Sequence, residues 1–245
     1  MTIEKNVYHE AQAAELLSAI RDSLKYLADS GCRGFDCDPA SVNTVGRWGN
    51  AAGKRPFQEG MADIRADLSE CRRCPLWETR THVVLGEGDV SARLVFIGEG
   101  PGYEEDKQGR PFVGAAGRLL TKIIQAMNLQ RENVYICNIV KCRPPGNRNP
   151  KPAEIEACKP FLERQLKVIR PEIICALGTF AAQTLLKTET PISRLRGNFF
   201  DWMGIRVLPT YHPAYLLRNP EKKRDVWEDM KKLMRALNLN PESAA

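Results

Sequence analysis

The 245-residue sequence contains little that would place it in a membrane or outside a cell. No apolar run approaches the roughly 18 residues that a membrane-spanning helix needs. Charged residues such as Glu4 and Lys5 interrupt the N-terminal segment where a signal peptide requires an apolar stretch. We therefore expect a cytoplasmic protein with no membrane partner. Eight cysteines in such a chain predict metal or redox chemistry rather than disulfide bonds.

The common phosphate-binding motifs are also missing. The glycine-rich segment Gly98–Gly102 reads GEGPG, and no Gly-Lys-Ser/Thr follows it, so it is not a P-loop. Pro101 stands where a dinucleotide-binding turn would begin its helix, which argues against that fold. What the glycines allow is close approach of a ligand to free backbone N–H groups, which can bind an oxygen that gains negative charge.

The chain carries a mild positive charge in one part of its length. Lysine and arginine number 36 against 30 acidic residues, and residues 1–60 hold seven basic and eight acidic side chains, a net of −1. Residues 61–245 therefore carry +7, with eight basic residues over 141–170. This distribution is compatible with a polyanionic partner such as nucleic acid without establishing one.

Two regions are predicted. Residues 9–30 have the apolar spacing of an amphipathic helix, and residues 31–60 read as a linker rich in glycine and asparagine. We place the boundary near residue 60, with an N-terminal helical extension of unassigned role over 1–60 and the main domain, where any catalytic site is expected, over 61–240.

Strands and helices alternate in the second region, which predicts an α/β fold. Short apolar strands are expected at 93–98, 134–140, 172–177 and 205–209, separated by helices at 116–127, 153–168 and 179–186 and followed by one at 224–237. This order predicts a three-layer αβα architecture around a central four-stranded parallel sheet. Ligands bind beyond the carboxyl ends of such strands, which directs attention to Gly98–Gly102, Asn138 and His212.

Four of the cysteines have the spacing of a metal centre. Cys71 and Cys74 form the chain's CxxC pair, and Cys142 and Cys158 extend it to C-x2-C-x67-C-x15-C. Four thiolates can hold a tetrahedral zinc ion or a [4Fe–4S] cluster, and spacing alone does not separate the two.

Several motifs together resemble one family. GEGPG is followed by EED, GRPFVG and AGRLL, then by Asn138, KCRPPGNRNP and HPAYLLRNP, over roughly Leu68 to Leu237. In this order and spacing they are similar to the family 4 uracil-DNA glycosylases, the iron–sulfur branch of the uracil glycosylase superfamily. The resemblance implies a DNA repair enzyme that flips uracil out of DNA and hydrolyses its N-glycosidic bond, leaving an abasic site.

The resemblance also implies roles for individual residues. The four cysteines named above would hold a [4Fe–4S] cluster. Asn138 would read the uracil edge, Phe112 would stack on the ring, and His212 would face the O2 oxygen. Backbone around Gly98 and Gly100 would complete the pocket. Gly100 replaces the water-orienting aspartate of better-known relatives, so Glu99 or Glu105 would orient the water or balance the cationic sugar.

The segment after His212 is expected to meet DNA. Leu216, Leu217 and Arg218 would form a wedge that enters the duplex, although either leucine could instead face the core from a helix. Arg143, in the proline-rich loop, is a further expected DNA contact. The expected partner is uracil-containing DNA, single- or double-stranded, bound by a monomer.

Two other functions are compatible with the sequence. A related glycosylase could have a different base preference or stay bound covalently to its product, but no basic histidine-containing insertion precedes Pro111 and Phe112. A non-catalytic iron–sulfur module for DNA or polymerase attachment would not need Asn138 and His212, and both are present.

Overall fold

A computed structural model describes residues 59–240 and, outside that range, Ile20 alone. The chain divides into two units, Met1–Phe57 and Gln58–Ala245. Of the helix predicted over residues 9–30 and the linker over 31–60, the structure describes only Ile20, Glu59 and Gly60, so both stay predictions. The rest of the structural description concerns the second unit.

Helices and strands alternate through this unit. The strands are β1 (Glu87–Gly88), β2 (Leu94–Gly98), β3 (Tyr135–Asn138), β4 (Ile173–Leu177), β5 (Phe200–Trp202) and β6 (Ile205–Thr210). The helices are α1 (Met61–Ser69), α2 (Tyr103–Gln108), α3 (Ala115–Ala126), α4 (Pro152–Ile169), α5 (Thr179–Leu186), α6 (Ile192–Leu195), α7 (Pro213–Arg218) and α8 (Lys223–Ala236). Single 3₁₀ turns occur at Pro75–Glu78, Arg131–Asn133, Pro145–Asn147 and Pro220–Lys222.

The six described strands form one sheet in the order β1-β3-β2-β4-β6-β5. The inner four are parallel, as the sequence predicts, whereas β1 and β5 pair antiparallel at the two edges. The edge strands are a correction to the predicted four-stranded sheet. They span two and three residues that are not fully buried, so they have no apolar run that would signal them.

Helices cover both faces of the sheet, which confirms the three-layer architecture. The side chains of β2 alternate between the faces: Val95 and Ile97 pack in one buried cluster with α1, α4 and α5. Leu94 and Phe96 pack in a second cluster with α3, α7 and α8. Burying both faces explains why the inner strands are almost continuously apolar.

The strand ends bring distant residues together. Gly98 at the end of β2 is paired with Asn138 at the end of β3, and Leu177 of β4 with Thr210 of β6. Because the four strands are parallel, these ends share one edge of the sheet. None of the helices in the described part of the chain is long and apolar enough to cross a membrane.

Candidate active site

A cavity of about 750 Å³ opens at the carboxyl ends of the parallel strands. Its volume falls in the range typical of small-molecule sites. Phe112, Asn138 and His212 all line it, although they come from three separate segments. Other residues expected in the site from the sequence also lie on its wall, namely Glu99, Gly100, Glu105 and Arg218.

Asn138 presents an unpaired acceptor. The residue is 1% exposed, and its Oδ1 atom is buried without a hydrogen-bond partner among the described residues. A buried polar atom without a partner costs free energy. Because Asn138 lines the cavity, a ligand there could supply the missing donor. Gly98 lies directly behind it: a Cβ there would stand 2.5 Å from Asn138 Oδ1 and 2.5 Å from Phe112 Cζ. Glycine at 98 is therefore what allows the amide and the ring to pack over the end of β2.

Phe112 holds its ring in place with an uncommon backbone conformation. Its φ is +52°, a left-handed value that bulky residues rarely adopt. Gly117 in the first turn of α3 makes this possible, since a Cβ there would lie 1.9 Å from the Phe112 carbonyl oxygen. The Phe112 ring centroid is 5.6 Å from that of His212, with the planes tilted by 33°. Ring and imidazole therefore share one side of the cavity.

His212 is a neutral hydrogen-bond donor. It precedes α7, and its Nδ1 accepts a hydrogen bond from the Ala214 backbone N–H at 3.1 Å. Burial, with a smaller contribution from the Arg218 charge, lowers the pKa of His212 to about 4. With Nδ1 as the acceptor, the imidazole proton resides on Nε2, which is free to donate.

Glu99 follows β2 on the cavity wall and is half-buried. Burial raises the pKa of its carboxyl from 4.5 to about 7. A carboxyl with such a pKa can exchange a proton near neutral pH. The neighbouring Gly100 allows close packing of the turn, because a Cβ would lie 2.8 Å from Val140 Cγ2.

Glu105 has a different role in the structure. Its Oε1 accepts hydrogen bonds from the backbone N–H groups of Val113 and Gly114, both at 2.9 Å. These contacts hold the segment that carries Phe112 and satisfy N–H groups at the start of α3. The carboxylate of Glu105 therefore supports the loop, whereas no such contact holds the Glu99 carboxyl on the cavity wall among the described residues.

The structure separates the two leucines of the expected DNA wedge. Leu216 is 1% exposed and packs in the core cluster with α3 and α8, so the expectation that it contacts DNA is wrong. Leu217 is 47% exposed and stays a predicted contact, as does the exposed Arg218. Arg143 lies with its guanidinium 5.1 Å from the Tyr103 ring centroid and donates to Asn147 Oδ1 at 2.7 Å.

Several residues of the site were not predicted individually. Arg148 lines the cavity and donates two hydrogen bonds to the buried Glu154, at 2.9 and 2.7 Å. The Arg148 guanidinium lowers the pKa of Glu154, so this pair is ionic and fixes the proline-rich loop. In the sequence, the excess of basic residues over 141–170 was the feature that pointed to Arg148. Further lining residues unsignalled by any motif are Thr179, Phe180, Ile192, Ser193 and Tyr211.

The four spaced cysteines occupy one region. Cys142 and Cys158 are buried, and Cys71 and Cys74 pack against the same hydrophobic cluster. All four are free thiols. Each is close enough to others of the set for their charges to interact, and burial raises the pKa of Cys74, Cys142 and Cys158. Clustered thiols without disulfides are the donor set of a metal centre.

Hydrogen-bond donors surround these sulfurs. The pairs are Arg80 Nη1 to Cys142 Sγ at 3.2 Å, Lys141 N to Cys158 Sγ at 3.3 Å, and Arg73 Nη1 to Cys71 Sγ at 3.7 Å. Within residues 59–240, no three His, Cys, Asp or Glu side chains converge closely enough for a single metal ion. A zinc ion requires each sulfur within about 2.3 Å of one centre. Four thiols with neighbouring N–H donors are also the kind of donor set that can hold an iron–sulfur cluster.

Comparison with known proteins identifies the relatives of this chain. The family model described as "Uracil DNA glycosylase superfamily" matches residues 85–231. A type-4 uracil-DNA glycosylase of Thermotoga maritima is 50% identical over 179 residues, covering 71% of this chain and 93% of the relative. Type-4 enzymes of Sulfurisphaera tokodaii (43% identical, 75% and 87% covered) and Archaeoglobus fulgidus (45% identical, 71% and 92% covered) are similar too.

Proposed function

Because the chain belongs to the uracil DNA glycosylase superfamily, and within it to the type-4 uracil-DNA glycosylases, we propose that it removes uracil from DNA. The enzyme hydrolyses the N-glycosyl bond and leaves an abasic site for base excision repair. The observation that carries the proposal is the shared cavity, in which Phe112, Asn138 and His212 surround a space sized for a flipped nucleotide.

Asn138 supplies base recognition. Its unpaired Oδ1 accepts from uracil N3–H while its amide donates to O4. Cytosine presents an acceptor at N3 and a donor at N4, so both Asn138 groups would go unpaired against it. A site built in this way rejects the wrong base strongly, because the cost of its own unpaired groups is added to the lost contacts. Phe112 covers the flat face of the base, which every pyrimidine offers, and therefore contributes affinity more than selectivity.

Stabilisation of the departing base falls to His212 and the turn after β2. When the C1′–N1 bond breaks, its electron pair moves into the uracil ring and negative charge grows on O2. Neutral His212 donates from Nε2, and backbone N–H groups around Glu99 and Gly100 add further donors. Fixed donors aimed at a developing anion commonly contribute about 3–4 kcal/mol each.

Glu99 acts on the other side of the broken bond. As a carboxylate it balances the positive charge that develops on the sugar and takes a proton from the water that attacks C1′. Its raised pKa, about 7, suits both roles at neutral pH. The oxygen of that water forms the new bond to C1′, and the proton ultimately neutralises the released uracil anion, so the reaction is balanced.

Four cysteines would hold a [4Fe–4S] cluster. Its ligands would be Cys71, Cys74, Cys142 and Cys158, and the neighbouring N–H donors would stabilise their thiolates. When bound, the cluster supplies iron–thiolate bonds that tie the segment before β2 to the proline-rich loop and α4. Hydrolysis changes no oxidation state, so its role is structural.

DNA approaches across the cavity mouth. Arg218, next to the exposed Leu217, lines the cavity, and so does Arg148 of the proline-rich loop that also carries Arg143. Action as a monomer stays part of the proposal.

A direct excision assay tests this function. The protein is incubated with single- and double-stranded oligonucleotides carrying one uracil, and with matched cytosine, thymine and hypoxanthine controls. We expect free uracil and an alkali-labile site with the uracil strands alone. Release of another base first, or a stable covalent protein–DNA adduct, would favour the related-glycosylase alternative. DNA binding without release of any base would favour a non-catalytic module.

A further inference from the structure

Arg131 makes contacts that suggest a role in the site although its side chain does not line the cavity. It lies in the 3₁₀ turn Arg131–Asn133, directly before β3, the strand that ends in Asn138. Its Nη2 donates to the Pro111 carbonyl at 2.8 Å, and its Nη1 donates to the Phe112 carbonyl at 3.2 Å. One guanidinium thus donates hydrogen bonds to two successive backbone carbonyls of the segment that carries the Phe112 ring.

These carbonyls flank a strained residue. Phe112 has φ +52°, a conformation that is strained for a bulky residue and persists only when its surroundings enforce it. Gly117 permits the conformation by leaving room, but a missing side chain exerts no force. Glu105 holds the two N–H groups on the far side of Phe112, at Val113 and Gly114. Arg131 restrains the other side of Phe112 through its hydrogen bond to the Pro111 carbonyl.

Arg131 is itself held in place. Its side chain is 14% exposed, and its Nη2 stands 3.6 Å from Glu87 Oε1. Nη1 also donates to Thr121 Oγ1 on α3 at 3.2 Å. A guanidinium fixed in this way presents its donors in a rigid fork, which a lysine cannot reproduce.

We propose that Arg131 is a positioning residue that clamps the Pro111–Phe112 backbone in its left-handed conformation and so keeps the Phe112 ring against the base. The proposal rests on the stacking role given to Phe112 above. It also couples the two recognition elements, because the same turn that holds Phe112 begins the strand carrying Asn138.

The test uses Arg131→Met, which keeps the length of the side chain and removes its donors, and Arg131→Lys, which can restore one of two bonds. Arg110→Met is the matched control: Arg110 pairs with the same Glu87, at 2.6 and 2.9 Å, yet contacts neither carbonyl. Crystal structures of the variants are expected to place Phe112 at negative φ with its ring out of the cavity in Arg131→Met, and unchanged in Arg110→Met. An unchanged ring in Arg131→Met would overturn the proposal without touching the proposed function.

A double-mutant cycle with Phe112→Ala separates positioning from a general structural role. The probe is a single strand carrying 2′-fluoro-2′-deoxyuridine, whose electron-withdrawing fluorine slows cleavage so that affinity can be measured. Loss of one stacked base predicts that Arg131→Met weakens binding about tenfold in the wild-type background. In the Phe112→Ala background the same change should cost less than about twofold, because the ring it positions is gone.

Arg131→Lys is expected to give an intermediate affinity, and kcat under saturating substrate should fall less than kcat/KM. Equal losses in both backgrounds would refute positioning through Phe112. If Arg131→Met unfolds, the same comparison is made with Arg131→Lys. If Phe112→Ala excises uracil as well as the wild-type protein does, the stacking role is instead removed from the proposed function.

Discussion

The ionisation of Glu99 should set the pH dependence of uracil excision. Its pKa is raised to about 7, whereas that of His212 is lowered to about 4, so between pH 5 and 9 the titrating group of this pair is the carboxyl. If the carboxylate form is required, the rate of the chemical step rises about tenfold per pH unit below pH 7 and levels above it. At pH 5 about 1% of the plateau rate should remain.

Single-turnover excision with enzyme in excess measures this step. Wild-type protein and Glu99→Gln are compared on a single-stranded uracil oligonucleotide from pH 5 to 9, with Glu104→Gln as control, because Glu104 is an exposed carboxyl outside the cavity lining. Glu99→Gln is expected to retain some activity with a flat profile. An inflection near 7 that survives in Glu99→Gln would refute the reasoning. So would an inflection near 6.5 that His212→Asn abolishes, since it would show that His212 is not held neutral.

The raised pKa of Glu99 also predicts how the free energy of unfolding changes with pH. The folded-state pKa of Glu99 lies above its unfolded value of 4.5. Burial of the neutral carboxyl therefore favours the fold fully below about pH 4.5, and this advantage is lost as the pH rises through about 7. Thermal unfolding should show Glu99→Gln more stable than wild type at pH 8, and nearly equal to it at pH 4, where both side chains are neutral.

Three further substitutions have expected outcomes. His212→Ala removes a leaving-group donor and should slow single-turnover excision about 100-fold or more; near-full activity would exclude His212 from the mechanism. Gly98→Ala adds a methyl group that would lie 2.5 Å from both Asn138 Oδ1 and Phe112 Cζ, so these groups must move. Because a misplacement of about 1 Å can lower the rate about 100-fold, excision should slow while the circular dichroism spectrum is unchanged. Cys74→Ser should lower the iron content, the visible absorbance and the melting temperature together; full absorbance with unchanged melting would show that Cys74 is not a ligand.

The sequence predicted the long elements well because their side chains repeat with a clear period. Helix α5 was expected over the same residues, Thr179–Leu186, that the structure shows, and the four inner strands were each found within a few residues. Helix α2 was missed because its six residues, YEEDKQ, are nearly all polar and offer no apolar stripe. Elements of this kind are stabilised by what surrounds them, here Asp106, which accepts from the backbone N–H groups of Thr81 and His82.

The predictable part of the site follows from the same logic. Parallel strands end together, so Asn138 and the residues after β2 and β6 could be expected at one edge. Contacts to backbone carbonyls could not be foreseen. The bonds from Arg131 to Pro111 and Phe112 span about 20 residues and depend on no side-chain pattern. The sequence leaves open whether Leu216 or Leu217 faces inward, because α7 has six residues, too few to fix the choice.

The lowered pKa of His212 indicates how the base leaves. With a pKa near 4, His212 carries no transferable proton on an imidazolium at neutral pH, so it cannot act as a general acid there. What it offers is a fixed Nε2–H dipole whose attraction to O2 grows as the bond breaks, which is stronger toward the anion than toward the bound base. Under the proposed function, uracil would therefore depart as an anion stabilised by neutral donors. Arg218 lines the same cavity, and its positive charge contributes to the low pKa of His212.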